Sequence, residues 1–168
     1  MKNFQHGDKE QVLRVYDMCI NHLTNLGKTV YLVRHSFEDI KACKLIKERF
    51  SQDNKVILIE NEFSCIEYEN LVKKFDFIIA SRYHSIIHAY KNGTPCIAIG
   101  WATKYHELLK TFKQEDYIFD VRKNMDTNSI VEAVDKMLEK YQEESDTILE
   151  ILEEVQGENV FDIIGGEK

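Results

Sequence analysis

Strand and helix patterns alternate along this 168-residue chain with almost no residues to spare, and that alternation constrains the fold more than any other feature. Five short apolar runs read as strands: Thr29–His35, Lys55–Glu60, Phe77–Ser81, Pro95–Gly100 and Tyr117–Val121. Between them, Glu38–Phe50, Cys65–Phe75, Tyr83–Lys91 and Lys104–Phe112 read as helices. Lys9–Leu26 is a further helix ahead of the first strand, with Val12, Val15, Cys19 and Leu23 on one face and Gly27 as its stop. Asn128–Gln156 is a long one after the last. Strands that are apolar throughout are buried on both faces, so the pattern predicts an α/β fold: a Rossmann-like parallel sheet with helices on both faces. The single proline, Pro95, opens a strand, where its missing N–H is tolerated.

Charge divides the chain. Residues 1–126 carry 19 basic and 17 acidic side chains, whereas residues 127–168 carry 3 and 12, so the net charge of −7 belongs to the C-terminal segment. We accordingly read residues 1–126 as the Rossmann-like domain and residues 127–168 as a long acidic helix with an apolar tail. That helix repeats Ile130, Val134, Met137, Tyr141, Ile148, Leu152 and Val155 on one face. At 1.5 Å per residue it extends about 40 Å, longer than so small a domain needs. Helix and tail (Val160, Phe161, Ile163, Ile164) either wrap the same core or pack on a partner absent from this chain, a preceding domain or a second copy.

An acidic chain is a poor general binder of nucleic acid. No apolar run approaches the roughly 20 residues of a membrane span, and the polar start MKNFQHGDKEQ does not resemble a signal peptide. Cys19, Cys43, Cys65 and Cys96 are far apart with no CxxC pair, which fits reduced, mostly buried thiols and a cytoplasmic setting.

Chemistry concentrates in SRYHSIIHAYKNGTPCIAIG, Ser81–Gly100. Here a buried strand gives way to a helix, the place where ligands bind in open parallel sheets and where free helical N–H groups suit an anion. Arg82 and His84 at that edge suggest a guanidinium for a phosphate or carboxylate and an imidazole for proton transfer, with Ser81 as helix N-cap and Ser85 as a second hydroxyl. One strand later GWATKYHE repeats the arrangement, with Thr103 able to cap, Lys104 as a phosphate-binding charge, and Trp101 and His106 at the border. His35, with Ser36 and Asp39, ends the first strand and is a third rim candidate; Glu60–Glu62 ends the second. His84 and His88 have metal-ligand spacing, but Ser85 stands where HExxH needs glutamate and no third ligand is evident, so His88 reads as a core or supporting histidine. P-loop, GxGxxG, GxSxG and Cys/His nucleophile patterns are absent.

The stretch RYHSIIHAYKNGTPCIAIGWATKYHELLKTF resembles the C-terminal signature of the polysaccharide pyruvyl transferase family: Arg-x-His, a helix, Gly-x-Pro, a strand and a lysine, here Arg82, His84, Gly93, Pro95 and Lys104. The acidic stretch before it, with Glu67, Glu69 and Leu71, is similar as well. Similarity runs from about Val30 to Val121 and is specific from Phe75 to Phe112; Tyr83 departs from the leucine common in the family. The resemblance implies half of a two-domain, GT-B-like enzyme that transfers the enolpyruvyl unit of phosphoenolpyruvate to a sugar or lipid-linked glycan in cell-surface polysaccharide or exopolysaccharide assembly. It implies Arg82, His84 and Lys104 as catalytic residues, with Tyr83, Ser85 and His35 joining them in substrate binding. It requires no metal and no cofactor beyond phosphoenolpyruvate as co-substrate. Two rival readings stand beside it: the nucleotide-sugar domain of a GT-B glycosyltransferase, and a non-catalytic flavodoxin-like module.

Overall fold

The computed structural model describes residues 6–100, 102–120 and 127–157. Helix α1 (His6–Asn25) leads into strand β1 (Val30–Val33), a 3-10 turn (Phe37–Asp39) and α2 (Ile40–Arg49). Then follow β2 (Val56–Ile59), α3 (Cys65–Val72), β3 (Ile78–Ala80), α4 (Tyr83–Tyr90), β4 (Cys96–Ile99) and α5 (Thr103–Thr111). A second 3-10 turn (Glu115–Tyr117), the two-residue β5 (Ile118–Phe119) and α6 (Thr127–Gly157) complete the order. The expected alternation is present, and every strand pair is parallel.

The single expected sheet is instead two ladders, β1–β2 and β3–β4–β5. β1 and β3 face each other across a cavity of about 440 Å³ walled by Tyr16, Cys19, Val30, Leu32, Ile78 and Ala80. At one end of this seam Tyr31 stacks on Phe75 with ring centroids 5.5 Å apart. Burial follows the division. All four residues of β4 are buried, as continuous apolar strands require. In the smaller ladder Tyr31 and Ile57, partners in register, are 44% and 39% exposed. One face there is open because α3, the helix that follows β2, packs on α4 instead.

Sequence-encoded stops and caps set the local structure. Ser64 caps α3 by accepting from the Glu67 N–H, while the Glu67 carboxylate accepts from the Ser64 N–H at 2.8 Å, a reciprocal capping box. Ser36 and Asp39 form the equivalent box at the first 3-10 turn. α4 ends on Gly93 at φ +71°, a left-handed turn suited to glycine.

The acidic last helix packs on its own chain. Ile130, Val134, Met137 and Ile148 are fully buried in the same cluster as β4 and the inner face of α1. His22 of α1 bonds Asp135 at 2.6 Å, and Glu144 accepts from the Tyr117 hydroxyl at 2.7 Å. Leu149 closes over Gly93. The apolar tail Val160–Ile164 lies outside the described residues.

A Cβ on Gly93 would stand 2.8 Å from the Leu149 side chain, in a backbone region that L residues avoid. Gly93→Ala should therefore cost about 2 kcal/mol in urea unfolding. Combined with Leu149→Ala it should cost less than the two single losses together, because removing the leucine removes the clash.

Candidate active site

Four elements deliver the site. The loop after β1 supplies His35 and Ser36, the 3-10 turn that follows supplies Asp39, the N-cap of α4 just beyond β3 supplies Arg82, and the first turn of α4 supplies Tyr83, His84 and Ser85. The N-cap of α4 is Arg82 itself, with extended backbone and no side-chain cap bond, so the expected cap at Ser81 is corrected. Likewise Ala102, not Thr103, is the N-cap of α5. In both cases the chain turns into the helix one residue away from the hydroxyl, and the hydroxyl does not reach the free N–H groups.

Arg82 is held by the opposite ladder. Its Nη2 donates to Asp39 Oδ1 at 2.6 Å and to Ser36 Oγ at 3.0 Å, and its Nε donates to both Asp39 oxygens at 3.1 and 3.2 Å. The pair is partly buried, the side chains being 28% and 14% exposed. Burial works against the Asp39 carboxylate, but the hydrogen bonds from Arg82 and Ser36 and the guanidinium charge together outweigh it and hold its pKa below the usual value. The sequence places Arg82 as an open fork for a ligand; the structure gives much of that fork to Asp39. The Ser36-x-x-Asp39 spacing is a capping-box signature, the signal that fixes Asp39 in place.

A row of rings runs along the same rim. His84 is exposed and lies nearly parallel to His35, 12° between planes and 6.4 Å between centroids. His35 touches His88 at 5.6 Å and meets Tyr68 edge-on at 5.1 Å. Burial, and after it the neighbouring His88, lower the His35 pKa and so favour its neutral ring. Ser85 is buried facing the Tyr68 phenol, so it belongs to the wall.

Lys104 is exposed, and its ammonium sits over the Tyr83 ring at 4.6 Å and farther from Tyr105, at 5.8 Å. Tyr83 packs edge-on against both His84 and Tyr105. The tyrosine where leucine is common thus gives Lys104 a seat beside His84, worth about 0.5–1 kcal/mol at an exposed position. Tyr105, which sequence reasoning passed over, fixes this wall: its hydroxyl donates to the Ser81 carbonyl at 3.1 Å, and its ring covers Gly100, where a Cβ would come within 2.6 Å. His106 is exposed, and Trp101 lies outside the described residues.

His88 is partly buried and, as a supporting histidine would, contacts His35 and Tyr68. One ring nitrogen, Nδ1, contacts Glu69 Oε1 at 2.8 Å, and the other, Nε2, lies 3.5 Å from Cys65 Sγ. Cys65, Glu69 and His88 form the one group of three potential metal donors among the described residues. The sulfur is 3.5 Å from Nε2 and 3.9 Å from Nδ1, so it lies against the ring and not in line with either nitrogen, and one ligand atom from each residue lies within 4.8 Å of the others. Cys65 is also the exception among the cysteines, being exposed where Cys19, Cys43 and Cys96 are buried.

Because Asp39 titrates below its usual range, its stabilising contribution is complete above the unfolded carboxylate pKa of about 4 and is lost as pH falls through the lower folded value. Asp39→Asn should cost about 2 kcal/mol at pH 7 in urea unfolding, and the gap to wild type should close progressively in acid.

No helix among the described residues is long and apolar enough to cross a membrane. A family model described as polysaccharide pyruvyl transferase matches residues 1–103, taking in His35, Asp39, Arg82 and His84 and ending one residue before Lys104. Neither the curated proteins nor the solved structures compared with the chain gave a match. With more than half of its length inside that match, the chain belongs to the polysaccharide pyruvyl transferase family, a family of transferases.

Proposed function

We propose that this chain carries the phosphoenolpyruvate side of a pyruvyl transferase, which moves the enolpyruvyl unit onto a sugar of a polysaccharide or lipid-linked glycan. The observation that carries this reading is the meeting of Arg82, His84 and His35 at the carboxyl ends of β1 and β3, with the Lys104 ammonium seated one ring away on Tyr83. Phosphoenolpyruvate presents a carboxylate and a phosphate. Two cations of different character match those groups: a guanidinium for planar, two-oxygen contact and an ammonium for the leaving phosphate.

Protonation of the methylene carbon makes the adjacent carbon oxocarbenium-like; a sugar hydroxyl attacks it, phosphate departs, and a second hydroxyl closes a ketal. His84 is exposed on the rim and serves as the imidazole that exchanges a proton with substrate. His35, whose burial favours the neutral ring, lies nearly parallel beside it. Asp39 positions Arg82, so an anion shares the guanidinium with that carboxylate. In the architecture the family resemblance implies, a facing domain supplies the acceptor wall. The cytoplasmic setting remains our reading of the cysteine usage.

Calorimetry with phosphoenolpyruvate and, separately, with a UDP-sugar tests the donor. Phosphoenolpyruvate should bind with release of phosphate once acceptor glycan and any facing domain are supplied. His84→Ala should abolish turnover while leaving thermal stability unchanged. Arg82→Gln should weaken binding about tenfold or more and also lower stability, because Asp39 loses its partner. Binding of the UDP-sugar alone would transfer the site to the glycosyltransferase reading.

A further inference from the structure

We propose that the cavity between β1 and β3 is a binding site for a single-chain fatty acid, its apolar chain held between the two ladders and its carboxylate at a mouth flanked by Lys28 and Lys74. The mouth lies at the opposite end of the seam from His84, and the site stands whether or not that rim handles phosphoenolpyruvate.

Close packing leaves few voids larger than a water molecule inside a folded chain. This one holds about 440 Å³ between two strands that share no ladder bond. Its walls come from five elements: Cys19 and Leu23 of α1, Leu32 of β1, Ile46 of α2, Val72 of α3 and Ile78 of β3. An apolar void of roughly 150 Å³ stays dry and takes up a benzene ring. The cavity here has about three times that volume. Its lining runs along β1 from Thr29 to Val33, about 13 Å at 3.3 Å per residue, comparable to an extended chain of about twelve carbons.

Exposure and charge mark the mouth. The lining residues that are exposed are Lys28, Thr29, Tyr31, Lys74 and Asp76, all at the amino ends of β1 and β3, so the cavity opens there. The stacked rings of Tyr31 and Phe75 form an apolar lip beside them. Lys28 and Lys74 bring two ammonium groups against the one carboxylate of Asp76, and none of the three forms a salt bridge among the described residues. Positive charge in excess at the edge of an apolar lining suits an amphipathic carboxylate. The far end offers no second seat for a head group, because Arg82 and Asp39, which line it, are bonded to each other. A fatty alcohol gains the chain contacts alone, and a phospholipid brings two chains where the volume holds one. The free acid is therefore the occupant.

The test is calorimetric titration of the full chain, stripped of co-purified lipid, with laurate below its micellar concentration. One equivalent should bind. Affinity should rise about fourfold for each CH₂ from octanoate to laurate, the increment for burying one methylene, and level off once the cavity is full. Cys19→Phe, which puts a ring into the cavity, should weaken laurate at least about tenfold and leave the ligand-free melting temperature unchanged or higher. Lys28→Gln combined with Lys74→Gln should weaken laurate about threefold and leave dodecanol unchanged. Binding that does not saturate at one equivalent, or equal binding by wild type and a folded Cys19→Phe, would overturn the proposal. Should that variant fail to fold, equal affinities for octanoate and laurate would do the same. Attachment to phosphatidylcholine vesicles without uptake of laurate would assign the apolar contact to the open sheet face at Tyr31 and Ile57 instead.

Discussion

Two parallel ladders share this chain without sharing hydrogen bonds between β1 and β3, and the Arg82–Asp39 ion pair is what ties their carboxyl ends together. The pair fixes where the end of β3 lies relative to the turn after β1. That in turn fixes the separation of His84 from His35, and through His35 the placement of His88. A charge pair suits the task because its strength comes from geometry: two donor nitrogens meet both carboxylate oxygens, and Ser36 anchors both partners. At the other end of the seam the contact is apolar, Tyr31 on Phe75. The seam is therefore held by side chains, and its interior is a cavity.

Most of the fold was legible because the hydrophobic pattern is decisive where it is strongest. CIAI of β4 is buried throughout, as its uninterrupted apolar run demands, and Gly27 and Gly93 stop helices at left-handed turns. The division of the sheet was not legible, since β1 and β3 are as apolar as strands that do pair. Whether two such strands close a ladder is a tertiary effect that no local period encodes. The open face at Tyr31 and Ile57 has the same origin: it follows from where α3 goes, and α3 is placed by its contacts with α4.

The site was legible by position more than by partner. Arg82, His84 and His35 could be placed at strand ends from alternation alone, and the structure brings them to one rim. That Asp39 occupies the guanidinium depends on the fold joining residues 43 positions apart in sequence. Lys104 illustrates the same limit, because its seat on Tyr83 comes from two helix starts lying side by side. The Cys65–His88–Glu69 cluster was hidden for another reason. Its members lie on two helices whose packing brings 65, 69 and 88 together, and a spacing search along either helix finds only two of the three or one.

Competition at Arg82 has a consequence for selectivity. A ligand that engages the guanidinium gains only the difference between its own contacts and those surrendered by Asp39, so a weak monodentate anion gains almost nothing. An anion bearing several oxygens, or one that also reaches the ammonium on Tyr83, overcomes that internal rival. At the anion site proposed for Arg82, the built-in carboxylate would thus act as a threshold, discriminating against chloride and simple monoacids before any substrate-shaped wall is considered.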